Sequence, residues 1–213
     1  MTTISGVGAV SDIASLQRRL VAGGYDIGAV DSMPGPRTYA GLLAFVARRP
    51  MSAMIALGSG CATYLPRYGI ADSAPRLANF IGQAAHETGS FRYLAEIWGP
   101  TDAQRRYDGR ADLGNSQPGD GQRFKGRGIF QSTGRANYAA LAAQMSLDLL
   151  GHPELLEIPS NAVWSACLFW TARNLSALAD AGADDTITHR INGGENGIAD
   201  RRAFVARAKG ILA

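Results

Sequence analysis

Two glutamates, Glu87 and Glu96, lie nine residues apart in "AAHETGSFRYLAEIW". A pair of carboxyl groups is the minimal equipment for acid/base cleavage of an acetal: one donates a proton to the leaving oxygen, the other takes one from water. Glu87 ends a helix-forming stretch. Leu77, Phe80, Ile81, Ala84 and Ala85 recur at helical spacing, and Glu87 continues that stripe, while Asn79 and Gln83 fall on the polar side. Partial burial of a carboxyl favours its protonated form, the form that a general acid needs. On an unbroken helix, residues nine apart point in opposite directions, about 13.5 Å apart along the axis. Gly89-Ser90 provides a break, so Glu96 can return across a cleft.

A second polar cluster lies in "GDGQRFKGRGIFQSTGRANY", where Gly119, Gly121, Gly126, Gly128 and Gly134 imply a folded loop. It lacks the Gly-Lys-Ser/Thr of a phosphate cradle. Gln131, Thr133 and Asn137 are suited to hydrogen-bonding a carbohydrate. A third stretch, "INGGENGIADRR", opens a helix from Ile198 to Leu212. Its spacing turns Arg201 inward with Val205 and Ala208, and Arg202 and Lys209 outward. An inward arginine needs an anionic or carbonyl partner, which the carboxylates would supply. Asn192 sits in the turn before it. His86, His152 and His189 are scattered and lack metal-site spacing, so no metal or cofactor is expected.

The elements that must position these residues read as helices. Further helices are expected over Ile13–Leu20, Tyr39–Val46, Tyr138–Leu150 and Val163–Leu175, the last central and capped by Ser160 or Asn161. Short strands are conceivable only near Phe124 and Ile129. The chain has 213 residues, 46% hydrophobic and 18% charged, a globular composition. No apolar run reaches membrane-spanning length, and no basic run marks a nucleic-acid arm. Two cysteines, Cys61 and Cys167, are too few for a disulfide framework. Net charge +3 and a pI near 9.1 mildly suit a polyanionic partner such as a cell envelope or nucleic acid. "MTTISGVGAVSDIASLQRRL" lacks the features of a secretory signal, so synthesis in the cytoplasm is expected.

Pro50 marks an expected boundary. The stretch "LQRRLVAGGYDIGAVDSMPGPRTYAGLLAFV" resembles the small helical peptidoglycan-binding module of wall hydrolases, with Tyr25, Asp31, Arg37 and Thr38 among the matching residues. Ser32 stands where that family usually has glycine. From Leu65 to Leu212, "AHETGSF", "FKGRGIFQSTGRANY" and "INGGENGIADRRAF" together resemble glycoside hydrolase family 19, in its phage-endolysin and bacterial branch. The resemblance implies a mainly α, lysozyme-like catalytic domain over 50–213 behind a module over 1–49. It implies Glu87 as general acid, Glu96 as general base and Thr133 as a holder of the attacking water. It also implies sugar contacts by Gln131, Asn137, Tyr138 and Asn192, with Arg201 tuning the carboxylates. The short loop before Glu96 matches endolysins rather than plant enzymes, and Ser132 replaces an apolar residue of the family.

The expected activity is inverting hydrolysis of β-1,4 bonds in peptidoglycan, by a monomer that makes no stable membrane insertion and reaches the wall through a holin pore. A carboxyl separation of about 6.5–9.5 Å would accompany inversion. Chitinase, lytic transglycosylase and a non-catalytic wall-binding or virion protein are the competing readings.

Overall fold

The computed structural model describes residues 12–213, so Met1 to Ser11 of the 1–49 span lie outside the described residues. The architecture is helical: α1 Ile13–Ala22, α2 Pro36–Ala47, α3 Ile55–Tyr64, α4 Ala74–Glu87, the short α5 Asp102–Arg105 and α6 Asp120–Arg123, then α7 Arg135–Met145, α8 Pro159–Ala172, α9 Leu175–Asp180, α10 Asp184–Asn192 and α11 Ile198–Leu212. Among the described residues, β structure is limited to isolated bridges that pair Arg127 with Ala95 and with Ser132.

Helix α4 starts where Ser73 accepts the amide of Arg76 at 3.3 Å, with Pro75 in the first turn, where a missing N–H costs nothing. Its apolar stripe is buried as the spacing requires. Its expected polar face is buried too: Asn79 and Gln83 are 0% and 1% exposed. The reason is tertiary. Asn79 donates to Asp184 and Gln83 donates to Thr188, both on α10, and Gln83 accepts from Arg201 on α11. Gly82 lets α11 approach closely, because a Cβ there would meet Val205 at 2.5 Å. Helix α4 is therefore enclosed on both faces.

Helix α8 also enters the core, through Val163, Ala166, Cys167 and Trp170. It begins at Pro159 and ends at Ala172, with Ile158 at the cap position. Ser160 and Asn161 lie inside its first turn, so neither is the expected cap. Helix α7 stops at Met145 rather than Leu150, because Ser146 turns left-handed at φ 52°. Leu149 nevertheless remains buried with Tyr138, Leu141 and Leu156, which accounts for the continued apolar spacing.

One core crosses Pro50. Leu16, Leu20, Leu42 and Val46 share a cluster with Leu57, Phe80, Trp170, Ile211 and Leu212. Arg19 donates to the carbonyls of Ile211 and Ala213, at 2.9 and 3.0 Å. Gly58 lies against α2 so closely that a Cβ would meet the Pro36 carbonyl at 2.5 Å. The two N-terminal helices thus pack as part of the main body, where Pro50 and the likeness to a binding module suggested a separate unit. Between them, Gln17 is 1% exposed and binds the loop by accepting from the amides of Asp31 and Ser32. Ser32 itself adopts the left-handed conformation, φ 63°, that glycine would otherwise supply.

Candidate active site

Glu87 is the last residue of α4, and its side chain is 19% exposed. It does not rest in a purely apolar stripe. Arg201 Nη2 donates to Glu87 Oε1 at 2.5 Å, while Arg201 Nη1 donates to Gln83 Oε1 at 2.6 Å. Arg201 is only 3% exposed, held inward by the helical spacing of α11. Its Nε donates to the carbonyl of Asn196 at 3.3 Å. That carbonyl also accepts from Asn192 Nδ2 at 2.8 Å. Asn192 is thus tied to the loop beside Glu87 rather than left free. His86, next in the chain, contacts Asp200 at 2.6 Å through Nδ1.

The chain reverses directly after α4. Gly89, Ser90 and Phe91 all take positive φ, at 55°, 64° and 60°. Two of the three carry side chains, and each left-handed non-glycine costs about 1–2 kcal/mol. Thr88 holds the turn. Its hydroxyl donates to the Ala84 carbonyl at 2.6 Å and accepts from the Phe91 amide at 2.9 Å.

Beyond this turn the chain reaches the glycine-rich segment. The Glu96 amide donates to the Gly126 carbonyl at 2.8 Å, and the Gly126 amide returns to Glu96 Oε2 at 3.2 Å. Gln104 Nε2 donates to Glu96 Oε1 at 2.9 Å. Gln104 is itself fixed, since its Oε1 accepts from the amides of Gly99 and Thr101 at 3.0 and 2.7 Å. Gly126 is required here by space: a Cβ would meet Gln131 Oε1 at 2.7 Å and Thr133 Oγ1 at 3.3 Å. Glu96, Gln131 and Thr133 therefore converge on one glycine.

Arg127 and Ser132 pair their backbones, and Gln131 turns left-handed between them at φ 48°. Gln131, Thr133 and Asn137 line a groove of about 350 Å³ together with Phe130, Leu168, Phe169, Arg173 and Ile191. Neither Glu87 nor Glu96 is among the residues that line it. That volume falls in the ordinary range of ligand sites.

By sequence, the chain is 37% identical over 109 residues to a glycosyl hydrolase family 19 domain-containing protein of Haemophilus influenzae, an overlap of 50% of each chain. It is 36% identical over 120 residues to an endochitinase of Arabidopsis thaliana, covering 56% of this chain and 40% of that one. The structure is similar to that of a bacterial family 19 chitinase, with TM-score 0.61, 22% identity and coverage of 81% of this chain and 93% of the other. Relatives and structural neighbours converge on glycoside hydrolase family 19. The class IV family 19 chitinase of Zea mays has the same helical fold, with TM-score 0.56, 20% identity and coverage of 85% and 92%. The fold shared with these chitinases is the mainly α, lysozyme-like architecture expected from the sequence. No family model matches the chain. The chain spans about half the length of the curated relatives it matches.

Within this helical fold, one expected sugar contact is corrected. Tyr138 is fully buried; its hydroxyl donates to the Lys125 carbonyl at 2.7 Å and accepts from Arg127 at 3.0 Å. Burial pushes its pKa up to about 12. Tyr138 braces the glycine-rich segment from below instead of facing a ligand.

The four N-terminal residues expected to touch wall glycan also separate. Thr38 is 3% exposed and accepts from Gln17, which removes it from any surface. Asp31 is exposed, with one oxygen accepting from Gln17 and the Met33 amide. Arg37 is exposed and pairs with Asp26. Tyr25 packs edge-on against Phe45 at 6.3 Å.

Sequence reasoning missed Gln104 and Gln83. For Gln104 a signal existed: Thr101 and Gln104 form a capping box at the start of α5. For Gln83 the helical spacing pointed toward solvent. Among the described residues, no three His, Cys, Asp or Glu side chains converge as a metal ion would require.

Proposed function

We propose that this chain hydrolyses β-1,4 bonds between N-acetylhexosamine units, with peptidoglycan as its substrate. The observation that carries this reading is the forced left-handed turn over Gly89–Phe91. It separates two carboxylates, each held by its own donors: Glu87 by Arg201, and Glu96 by Gln104 and the Gly126 amide.

The roles follow from those donors. Arg201 occupies Oε1 of Glu87, which leaves Oε2 to carry the proton for the glycosidic oxygen. Both Glu96 oxygens accept N–H donors, which fixes the carboxylate while further lone pairs remain to receive a proton from water. Thr133 donates its hydroxyl proton to the Gln131 carbonyl at 2.9 Å, which leaves the lone pairs of its oxygen to accept from an attacking water. Water would attack the face opposite the leaving group and invert the anomeric centre.

Two features favour peptidoglycan: the likeness of the Leu16–Val46 stretch to peptidoglycan-binding modules, and a basic chain facing an anionic wall. Access through a holin pore belongs to the same proposal. Chitin is the second reading, because named relatives are endochitinases. Mass spectrometry of fragments released from purified peptidoglycan, with chitin oligomers run alongside, tests the choice. Disaccharide units released from peptidoglycan support it; release from chitin alone transfers the assignment to the second reading.

A further inference from the structure

The groove that holds Gln131, Thr133 and Asn137 is also lined by a cation, Arg173. Arg173 follows α8, and its guanidinium lies over the Phe169 ring at 3.6 Å from the centroid. Phe169 packs tilted against Phe130 at 4.8 Å, and Phe130 meets Phe80 of α4 edge-on at 5.8 Å. This aromatic series runs from the core to the groove and fixes where the guanidinium sits. Arg190 of α10 donates to the Arg173 carbonyl at 2.9 Å, which holds its backbone and adds a second cation nearby. Arg173 is exposed as a residue, and desolvation beside the ring pulls its guanidinium below the usual arginine range.

A guanidinium has five N–H donors and a planar fork matched to a carboxylate. Among the described residues, the Arg173 side chain has an aromatic face beneath it and no carboxylate paired with it, unlike Arg76, Arg127, Arg135, Arg201 and Arg202. The groove's other polar residues, Gln131, Thr133, Asn137 and Gln144, are neutral. A ligand in this groove would meet neutral donors and acceptors together with one cation, a set suited to a largely neutral molecule that carries an anionic group.

We infer that Arg173 selects glycans that carry a carboxylate, the acidic side group of a muramyl unit, over neutral N-acetylhexosamine chains. This rests on the glycan-hydrolase reading above and names the residue that would separate peptidoglycan from chitin. A lactyl carboxylate and a stem-peptide carboxylate share the required chemistry.

The test compares the parent with Arg173→Gln and Arg173→Lys. The substrates are peptide-free glycan strands with lactyl carboxylates, peptide-bearing strands, and neutral chitin oligomers. One charge-assisted contact is worth about tenfold, so Arg173→Gln should lower the kcat/KM ratio of anionic to neutral substrate about tenfold. Arg173→Lys should restore part of it. Whichever anionic strand shows the larger loss identifies the carboxylate. An equal loss on anionic and neutral glycans would overturn the inference and leave the hydrolase reading standing. Binding of the same strands to Glu87→Gln, with and without Arg173→Gln, separates the two claims. Arg173-dependent binding without turnover by the parent would preserve the carboxylate site and sink the hydrolase; Arg173-independent binding would overturn the site.

Discussion

Arg201 reaches 114 positions back along the chain to donate to Glu87 at 2.5 Å, from a position only 3% exposed. The same guanidinium holds Gln83 and the Asn196 carbonyl, so it joins the end of α4 to the loop before α11. Arg202, one residue on, pairs with Asp185 with more than half of its side chain exposed.

These neighbours therefore predict opposite outcomes. Arg201→Ala leaves a half-buried carboxylate and a buried glutamine without their donor, and should cost about 3–5 kcal/mol together with most activity. Arg202→Ala removes an exposed, solvent-screened pair and should leave the melt nearly unchanged. Thermal melts of both variants measure the contrast; equal small shifts would contradict the bridging role.

Gln104 should act through Glu96 rather than on substrate. Gln104→Leu removes the donor to Glu96 Oε1 and the acceptor of the Gly99 and Thr101 amides. A displacement of about 1 Å in a reacting group costs up to 100-fold, so kcat should fall steeply while KM changes little. A rise in KM at constant kcat would place Gln104 in substrate binding instead.

How much of this was legible before folding depends on where each partner lies. Helix α11 was readable end to end, because its apolar spacing and its inward arginine are local properties. The buried polar face of α4 was not, because Asn79 and Gln83 find partners more than 100 positions away. The turn after Glu87 was half legible. Gly89 announces a stop, but nothing in Ser90 or Phe91 favours the left-handed backbone that they adopt. Tyr138 looked like a ligand contact from its motif; only packing shows its hydroxyl spent on Lys125 and Arg127.

The continuous core makes a prediction about truncation. A chain starting at Met51 would lose Leu16, Leu20, Leu42 and Val46 and expose the faces of Leu57 and Ile211 that they cover. It should lose its cooperative melt by circular dichroism. A cooperative melt with retained turnover would establish the N-terminal helices as a separable unit.

Asp120 predicts an acid-sensitive contact. Arg135 donates to both of its oxygens, at 2.5 and 2.8 Å, and holds its carboxyl below the usual aspartate range. A depressed folded pKa contributes stability above the unfolded value, near about 3.9, that is lost as pH falls through the folded value. Asp120→Asn should therefore melt well below the parent at neutral pH, with the gap closing below about pH 4. Melting curves across that range check it; a gap independent of pH would deny the ion pair this role.

The central claim is that Glu87 and Glu96 act as an acid and a base on opposite faces of one bond. The anomeric form of the first product, read by proton NMR within minutes of mixing enzyme and glycan, tests it most directly. Inverting hydrolysis would give a fresh α-anomer, lost in both Glu87→Gln and Glu96→Gln. A fresh β-anomer, or an anhydro-muramic end formed by an active Glu96→Gln, would contradict it.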